Sequence, residues 1–331
     1  MPANLPPQYY ELEREFKREQ DPTEKLRLAQ ELLAMMPKHK GTDKLQAELK
    51  AKISKLKLQI EGGQKKHGAR HPETHDHIER EGAGQVILIG PPNSGKSSIL
   101  GVLTHAHPLI TDYPFSTVEP VTGMMIFETV QIQLIDTPSI AREFFESYLL
   151  NLIRQVNVVM LIVDTTSVDM ESEIRVVFKM LEDKHIRLVP VIPNVIEDPR
   201  FAYQKTIIVA HKSFEDDNEK NIGILKANYP HFQILQTTIL DDKTMNSLKK
   251  MIFDSLGIIR VFTKKVGHEV VFEDPIVLPV GGTVEDAAMT IHKDFAQKLQ
   301  FAKVWGHGKF EGQKVKSSFV LNDRDIIEFH I

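Results

Sequence analysis

The segment with the clearest chemistry is Gly90–Ser97, which reads GPPNSGKS. It fits the pattern G-x-x-x-x-G-K-[ST] and lies between an apolar run and a predicted helix. Glycines let the backbone wrap a phosphate with its amides, and the start of the helix adds the positive end of a dipole. In this pattern the lysine, Lys96, reaches the β- and γ-phosphates, and the hydroxyl of Ser97 binds Mg²⁺. The segment therefore predicts a site for a nucleoside triphosphate.

Two further segments carry groups that a triphosphate and its metal would need. Asp136 ends the apolar run VQIQLID, about forty residues after Lys96, and ligand groups of open α/β sheets lie at such strand ends. We therefore predict that Asp136 holds the metal, although Asp-Thr-Pro is also good turn chemistry. Between the two lies DYPFSTVEP, residues 112–120, whose hydroxyls include that of Thr117. A mobile loop whose threonine closes on Mg²⁺ and the γ-phosphate is how GTPases switch.

Length and composition limit the other possibilities. The 331 residues correspond to about two domains, and with a net charge of −4 neither full-length disorder nor a uniformly basic nucleic-acid binder fits. The absence of cysteine excludes disulfide scaffolds, thiolate zinc sites and cysteine nucleophiles, and agrees with a reducing compartment. No apolar run approaches the ~18 residues that span a bilayer. We expect a cytoplasmic protein with no membrane partner and no DNA partner.

The elements that must position these groups follow from the pattern after Gln85. Short, continuously apolar runs alternate with helical stretches, which is typical of a mostly parallel, doubly wound α/β sheet buried on both faces. The predicted strands are Val86–Gly90, Met124–Glu128, Val130–Asp136, Val158–Asp164, Thr206–His211 and Phe232–Thr237. Past Ile258 the pattern changes to strands around one helix, Val284–His292, opened by a capping box of Thr283 and Asp286. This change predicts a separate, small α+β module.

The N-terminal part is helical in pattern and basic. Apolar residues recur every three or four positions within Pro22–Met36 and again within Leu45–Ile60, which predicts a helical hairpin over residues 1–60. Residues 61–84 are Gly-rich and polar, and predict a linker. From Lys38 to Arg70 there are ten Lys or Arg against three Asp or Glu. This segment is the best candidate for contact with a polyanion such as RNA, and a solvated helix face is the alternative.

These motifs, in this order, resemble those of a known family. GPPNSGKS, YPFST, IDTPSI and TIIVAHK are similar to motifs of the Obg/DRG group of translation-factor-related GTPases. The tail, from IIRVFTKK to LNDRDIIEFHI, resembles the TGS module, a β-grasp fold that closes DRG proteins. Together with the patterns above, the resemblance divides the chain into a hairpin at 1–60, a linker at 61–84, a P-loop GTPase domain at 85–257 and a TGS domain at 258–331. It also implies a role near the ribosome or RNA.

Carried over residue by residue, the resemblance implies a role for each site residue. The residues that would hold the phosphates are Gly90, Pro91, Pro92, Asn93, Ser94, Gly95, Lys96, Ser97 and Ser98. Magnesium would be held by Ser97 and Thr117, and by Asp136 through water, while Lys96 and Thr117 would contact the transition state. Asn93 matches the asparagine that coordinates potassium in cation-dependent GTPases, where the cation does the electrostatic work of an arginine finger. An ordinary loop asparagine is the alternative.

Two positions of the metal motif bear on hydrolysis: the first departs from the family's pattern, and the second carries an aliphatic residue, as is expected in the Obg group. Ser139 follows Pro138 where the family has glycine, so the backbone there tolerates fewer angles. Ile140 stands where Ras-like enzymes carry the glutamine that positions water, and an aliphatic side chain cannot orient water. We therefore expect hydrolysis to be slow and to depend on a cation or a partner.

The base-reading motif N-K-x-D has two candidates in this chain. NVIE, from Asn194, keeps the first residue and an acid, whereas HKSF keeps only the lysine but closes an apolar strand with His211 and Lys212. We favour HKSF because about 26 residues separate it from Thr237 and Thr238, a fitting distance to the family's final loop. The other register would leave the strand TIIVA without a place.

The favoured register puts Phe214 where the family has the acid that reads guanine. A phenyl ring accepts no strong hydrogen bond, so discrimination against adenine would rest on Glu215, Asp216 or backbone groups. The sequence therefore predicts a GTP-binding protein that is a slow hydrolase and acts as a switch. An ATPase and a non-catalytic binding protein with a decayed nucleotide site remain the alternatives.

Overall fold

The computed structural model describes residues 28, 32, 77–104, 120–141, 145, 147–214, 218–306 and 310–331. The chain divides into two compact units, residues 1–73 and 74–331. In the first unit Leu28 and Leu32 are helical and buried, as positions one turn apart on an apolar stripe should be. The rest of the predicted hairpin and the predicted switch loop up to residue 119 lie outside the described residues, and the linker is described only from residue 77.

The second unit begins with an α/β layer and continues into a smaller sheet. The elements of the first part are β1 (Gln85–Ile89), α1 (Lys96–Leu103), β2 (Val121–Phe127), β3 (Val130–Asp136), α2 (Tyr148–Gln155), β4 (Val158–Asp164), α3 (Met170–Asp183), β5 (Ile186–Val189), β6 (Ala202–His211), α4 (Glu219–Asn228), β7 (Ile234–Thr237) and α5 (Asp242–Leu256). Those of the second are β8 (Ile258–Thr263), β9 (Ile276–Pro279), α6 (Val284–Ile291), α7 (Lys293–Lys298), β10 (Phe301–Trp305), β11 (Gln313–Val315) and β12 (Asp325–His330). Within the described residues, no helix is long and apolar enough to cross a membrane.

The first sheet confirms the predicted α/β class. Its strands follow the order β2-β3-β1-β4-β6-β5, with β7 also paired to β6, and every pair is parallel except β2 with β3. Alternate residues of β1 enter opposite cores: Ile87 and Ile89 pack towards α2, α3 and α4, and Val86 and Leu88 towards α1 and α5. All four are fully buried, which explains why the strand reads as a continuous apolar run.

The ends of α5 follow from local chemistry. The side chain of Asp241 caps its first turn by accepting a hydrogen bond from the backbone nitrogen of Lys243 at 2.9 Å. Gly257 ends the helix in the left-handed conformation, at φ 64°, which glycine adopts without strain. The next residue, Ile258, starts β8, the first strand of the other sheet.

The second sheet is a β-grasp arrangement. Its order is β11-β10-β12-β8-β9, with β12 and β8 parallel and the other pairs antiparallel. The predicted capping box of α6 is present: Thr283 Oγ1 accepts from the Asp286 nitrogen, and the Asp286 carboxylate accepts from the Thr283 nitrogen. The prediction of a single helix was wrong, because α7 follows directly. His292 ends one helix and caps the next through Nδ1, which a search for apolar periodicity does not detect.

Strand limits also differ from the predictions. β5, with four residues of alternating burial, was missed because it is too short to carry a clear pattern. β2 begins at Val121, three residues before the predicted start, and Glu128 forms the turn to β3 rather than ending the strand. This strand lies at the edge of the sheet, where polar residues interrupt the apolar signal.

A buried arginine joins the two sheets. The side chain of Arg260, on β8, is 3% exposed and donates to both carboxylate oxygens of Asp323, at 3.1 and 2.7 Å. It also donates to Glu128, at the tip of the β2–β3 hairpin, and its guanidinium lies 4.6 Å from the ring centroid of Phe253 on α5. Hydrogen bonds from Arg324 and Arg260 hold the pKa of Glu128 below its usual range. The hairpin tip is therefore tied to the β-grasp sheet by ionic hydrogen bonds.

We predict that Asp323→Asn lowers the free energy of unfolding by about 1–3 kcal/mol, because it removes the charged acceptor of a buried guanidinium while Glu128 remains as a second partner. Urea denaturation followed by circular dichroism measures the change. The control is Asp254→Asn, which breaks the exposed pair with Lys250 and should cost less than about 0.5 kcal/mol. Equal effects of the two substitutions would contradict the role of Arg260.

Candidate functional site

The predicted phosphate loop joins the carboxyl end of β1 to the amino end of α1. Gly90 and Gly95 have positive φ angles of 155° and 93°, and Asn93 lies in the left-handed region at 57°. A Cβ atom on Gly90 would collide with the backbone oxygen of Ile162, and one on Gly95 with the ring of His211. Both glycines are therefore needed for the loop to turn and to pack against β4 and β6.

Lys96 holds its ammonium group inside this loop. The residue is 5% exposed, and Nζ donates to the backbone oxygens of Gly90 at 3.3 Å and Pro91 at 2.9 Å, and to Oγ of Ser139 at 3.0 Å. Burial lowers the pKa of Lys96 to about 8, against the attraction of Asp136. All three acceptors are neutral, so phosphate oxygens would bind this ammonium more strongly.

The other predicted loop residues differ in exposure. Ser94 is fully buried, and no described residue hydrogen-bonds its Oγ. Pro92 and Ser98 are half-buried, and Asn93 is exposed at the tip of the loop. The loop thus combines a buried hydroxyl, a buried ammonium and an exposed carboxamide.

The two described candidates for metal binding are in contact. Register between β1 and β3 pairs Leu88 with Asp136, which brings this carboxylate beside the phosphate loop. Ser97 Oγ donates to Asp136 Oδ2 at 2.5 Å. Asp136 is fully buried, and its other oxygen has no hydrogen-bond partner among the described residues. Burial raises the pKa of Asp136, against the Ser97 hydrogen bond and the Lys96 charge.

A buried carboxylate with one unpaired oxygen next to a serine hydroxyl fits a hard divalent cation. Magnesium prefers oxygen ligands and is commonly bound by one or two carboxylates together with substrate phosphates and water. In the described part of the chain no three carboxylates or histidines converge as a metal cage. A metal here would need ligands from outside these residues. Thr117, the third predicted magnesium ligand, lies outside the described residues.

His211 stands where three segments meet. It is 2% exposed, its ring packs against Gly95, and Nδ1 lies 3.4 Å from Thr237 Oγ1 on β7. Its backbone oxygen accepts from the nitrogen and the hydroxyl of Thr165, after β4. Burial, and to a lesser degree the charge of Lys212, lowers the pKa of His211 to about 4, so the ring is neutral at pH 7. His211 therefore connects the phosphate loop to the end of β7 through its ring, and to the segment after β4 through its backbone oxygen.

Lys212 is held by a carboxylate that the sequence reading did not single out. It adopts the left-handed conformation, at φ 57°, and Nζ lies 2.6 Å from Asp164 Oδ2. Burial alone would raise the pKa of Asp164, but hydrogen bonds from Lys212 and Thr166 keep it below its usual range. Asn218 also donates to the Lys212 backbone oxygen, at 2.6 Å. Asp164 ends its strand as Asp136 does, so the signal that would have found it was present.

The competing base-reading register lies elsewhere. Asn194 is exposed in the loop after β5, whose last residue, Val189, pairs with Lys205 of β6. His211, in the other register, packs its ring against Gly95 of the phosphate loop. This contact favours the register that ends β6. In it Phe214 is 62% exposed, and Glu215 and Asp216 lie outside the described residues.

The predicted final loop adjoins the end of β6. The backbone oxygen of Thr237 accepts from the nitrogen of Ser213 at 3.2 Å. Thr238 exchanges two hydrogen bonds with Thr244 of α5: its nitrogen donates to Thr244 Oγ1, and its oxygen accepts from the same hydroxyl. The structure thus brings the predicted residues His211, Lys212, Thr237 and Thr238 to one edge of the sheet, next to the phosphate loop.

Comparisons with known proteins match both sheets. Residues 85–194 match the family model described as a 50S ribosome-binding GTPase, and residues 259–331 match the TGS domain. The chain is 25% identical to the uncharacterized GTP-binding protein MJ1326 of Methanocaldococcus jannaschii, over 92% of this chain and 91% of that protein. It is 25% identical to developmentally-regulated G-protein 1 of Arabidopsis thaliana, over 89% and 88% of the two chains.

Residues 85–194 thus form a GTPase domain and residues 259–331 a TGS domain, and the chain is similar along most of its length to DRG-type GTP-binding proteins. The resemblance stated from the sequence motifs is thereby confirmed. Among solved structures, a GTP-binding protein from Pyrococcus horikoshii OT3 is 15% identical over 74% of this chain and 99% of its own, with a TM-score of 0.48. Ser139 and Phe214 are the positions at which this chain departs from the motifs that it otherwise shares with the Obg/DRG group.

We predict that acid destabilises this protein through His211. Its folded-state pKa of about 4 lies below the unfolded value of 6.5, so the unfolded chain binds the extra proton between these values. Stability therefore falls as pH drops from 6.5 to 4, by up to about 3 kcal/mol, and the histidine's full contribution is present above pH 6.5.

Urea denaturation at several pH values, with the wild type and His211→Gln, measures this dependence. The substitution should flatten the slope between pH 6.5 and 4, whereas His268→Gln, at an exposed histidine, should leave the slope unchanged. An unchanged slope in His211→Gln would mean that other groups cause the acid sensitivity.

Proposed function

We propose that this chain binds GTP with Mg²⁺ and hydrolyses it slowly. The observation that carries the proposal is the convergence of a buried ammonium, Lys96, with the hydrogen-bonded pair of Ser97 and Asp136 at the end of β1. Lys96 would bind the terminal phosphates, while Ser97 and Asp136 would hold the metal that neutralises them. Thr117 completes this proposed set from the switch loop.

Slow hydrolysis follows from the residue after Ser139. The side chain of Ile140 is 1% exposed and belongs to the core beside β1, so it neither reaches nor orients an attacking water. In its place we propose a potassium ion on the exposed Asn93, whose carboxamide oxygen could neutralise charge that develops between the phosphates. Lys96 and Thr117 would contact the transition state. Without such a cation or a partner, we expect GTP hydrolysis to be slow.

ATP binding is the second candidate, and one observation favours it. Phe214 occupies the position of the guanine-reading acid, and an exposed phenyl ring offers no hydrogen-bond acceptor to the guanine edge. The loss of that acceptor removes a large source of discrimination between the two purines. We place GTP first because the chain belongs to a GTPase family.

We predict that the wild type, with Mg²⁺, binds a non-hydrolysable GTP analogue more tightly than the corresponding adenine analogue. Lys96→Ala should weaken binding of the GTP analogue at least about 100-fold, because it removes a charged contact to phosphate. Isothermal titration calorimetry measures the affinities, and phosphate release in K⁺ against Na⁺ measures the cation effect. Lys179→Ala, at an exposed lysine of α3 outside the loop, is the control and should leave the affinity unchanged.

Three results would change the proposal. Tighter binding of the adenine analogue would select the ATP alternative. Equal phosphate release in K⁺ and Na⁺ would remove the potassium. Absence of binding in the wild type, with normal folding, would indicate a non-catalytic protein with a decayed site.

The proposed partner is the ribosome or another RNA assembly in the cytoplasm. Two features support it: the ten basic residues between Lys38 and Arg70, and the TGS domain at the other end of the chain. A polyanion would attract the first, and a small β-grasp domain suits docking. A nucleotide-dependent switch between them would control the association.

We predict that reversing three charges in the basic segment weakens co-sedimentation with ribosomes at low salt, because fewer phosphates are then neutralised. The substitutions are Lys52→Glu, Lys55→Glu and Lys57→Glu. The matched control reverses three exposed lysines of the α/β layer, Lys220, Lys226 and Lys243. Equal sedimentation of the two triple variants would count against RNA contact by the N-terminal segment.

A further inference from the structure

Ser139 puts a hydroxyl group beside the buried ammonium of the phosphate loop. The residue is 8% exposed, and its Oγ lies 3.0 Å from Lys96 Nζ. A glycine, which the family carries at this position, would supply only a backbone amide there. The substitution thus adds a side-chain hydrogen-bonding group at the place where Lys96 would meet a terminal phosphate.

The backbone around Ser139 is anchored on both sides. Two residues earlier, the Thr137 hydroxyl donates to the backbone oxygen of Leu88 at 2.7 Å. One residue later, the Ile140 nitrogen donates to the backbone oxygen of Gly90 at 3.1 Å. Thr137 is fully buried and Ile140 is 1% exposed. The hydroxyl of Ser139 is therefore positioned by β1 and by the first residue of the phosphate loop.

The chemistry of this hydroxyl differs from that of the other two acceptors around Lys96. The backbone oxygens of Gly90 and Pro91 can only accept hydrogen bonds, whereas a serine hydroxyl accepts and donates at the same time. Lys96 uses its accepting side. A phosphate oxygen held by the same ammonium would lie within reach of its donating side.

We infer that the Ser139 hydroxyl donates a hydrogen bond to the terminal phosphate of a bound nucleoside triphosphate while it accepts one from Lys96, and so favours triphosphate over diphosphate. The inference rests on the proposed nucleotide binding and deepens it. A diphosphate ends before this position and leaves the donor without a charged acceptor. The hydroxyl therefore reports the presence of the γ-phosphate to the segment that follows Asp136.

The test compares two ligands on three forms of the full-length chain: the wild type, Ser139→Ala and Ser139→Gly. Isothermal titration calorimetry measures the affinities for a non-hydrolysable GTP analogue and for GDP, each with Mg²⁺. The same measurements are made with a non-hydrolysable ATP analogue and ADP, because the phosphate contact does not involve the base. Both substitutions should weaken the triphosphate analogue by about 10- to 100-fold, the range for a hydrogen bond to a charged group. GDP affinity should stay within about twofold.

Each other outcome overturns the inference. If neither the affinity for the GTP analogue nor the affinity for GDP changes, the hydroxyl does not contact the phosphate. If both affinities fall by the same factor, the hydroxyl only supports the loop. Tighter analogue binding by Ser139→Ala means that the hydroxyl withholds Lys96 from the nucleotide. If the folded wild type binds neither nucleotide, the proposed function fails together with this inference, whereas the first three outcomes leave the proposed function intact.

Discussion

A buried ammonium and a buried carboxylate lie at the same end of the first sheet, and the protein neutralises neither completely. Lys96 is surrounded by neutral oxygens, and Asp136 keeps one oxygen without a described partner. Burying charge in this way costs free energy. The same burial lowers the pKa of Lys96 and raises the pKa of Asp136, because it disfavours the charged form of each group. A fold retains such groups where a charged ligand offsets that cost, and a metal-bound polyphosphate carries both charges needed.

The remaining architecture holds these two groups in place. Parallel pairing of β1 with β3 and β4 brings the carboxyl ends of three strands together, and the fully apolar strands leave only their ends for polar chemistry. On the other side of the loop, the neutral ring of His211 fills the space that Gly95 leaves. Lys212 is fixed by Asp164 rather than left to solvent. The site is therefore assembled from side chains whose positions are set by strand register.

The hairpin of β2 and β3 connects this site to the β-grasp sheet. One end of the hairpin, Asp136, belongs to the proposed metal site, and the tip, Glu128, is held by Arg260 and Arg324. The guanidinium of Arg260 is buried beside the rings of Phe127 and Phe253, whereas Arg324 is 62% exposed, so water screens the Arg324 contact with Glu128 more than the Arg260 contact. The β2–β3 hairpin thus links the proposed metal site in the first sheet to the β-grasp sheet, through the contacts of Glu128 with Arg260 and Arg324.

The amino-acid sequence by itself determined the α/β class, the phosphate loop between β1 and α1, the placement of Asp136 and the capping box of α6, because each depends on periodicity or on residues close in the chain. Only the tertiary structure decided which residues meet: Ser139 with Lys96, Asp164 with Lys212, and Arg260 with Glu128. These partners are 43, 48 and 132 residues apart. Their contacts depend on strand register and on how two sheets pack, and no local pattern encodes either. Short elements such as β5 and α7 were missed for a related reason, since packing rather than propensity stabilises them.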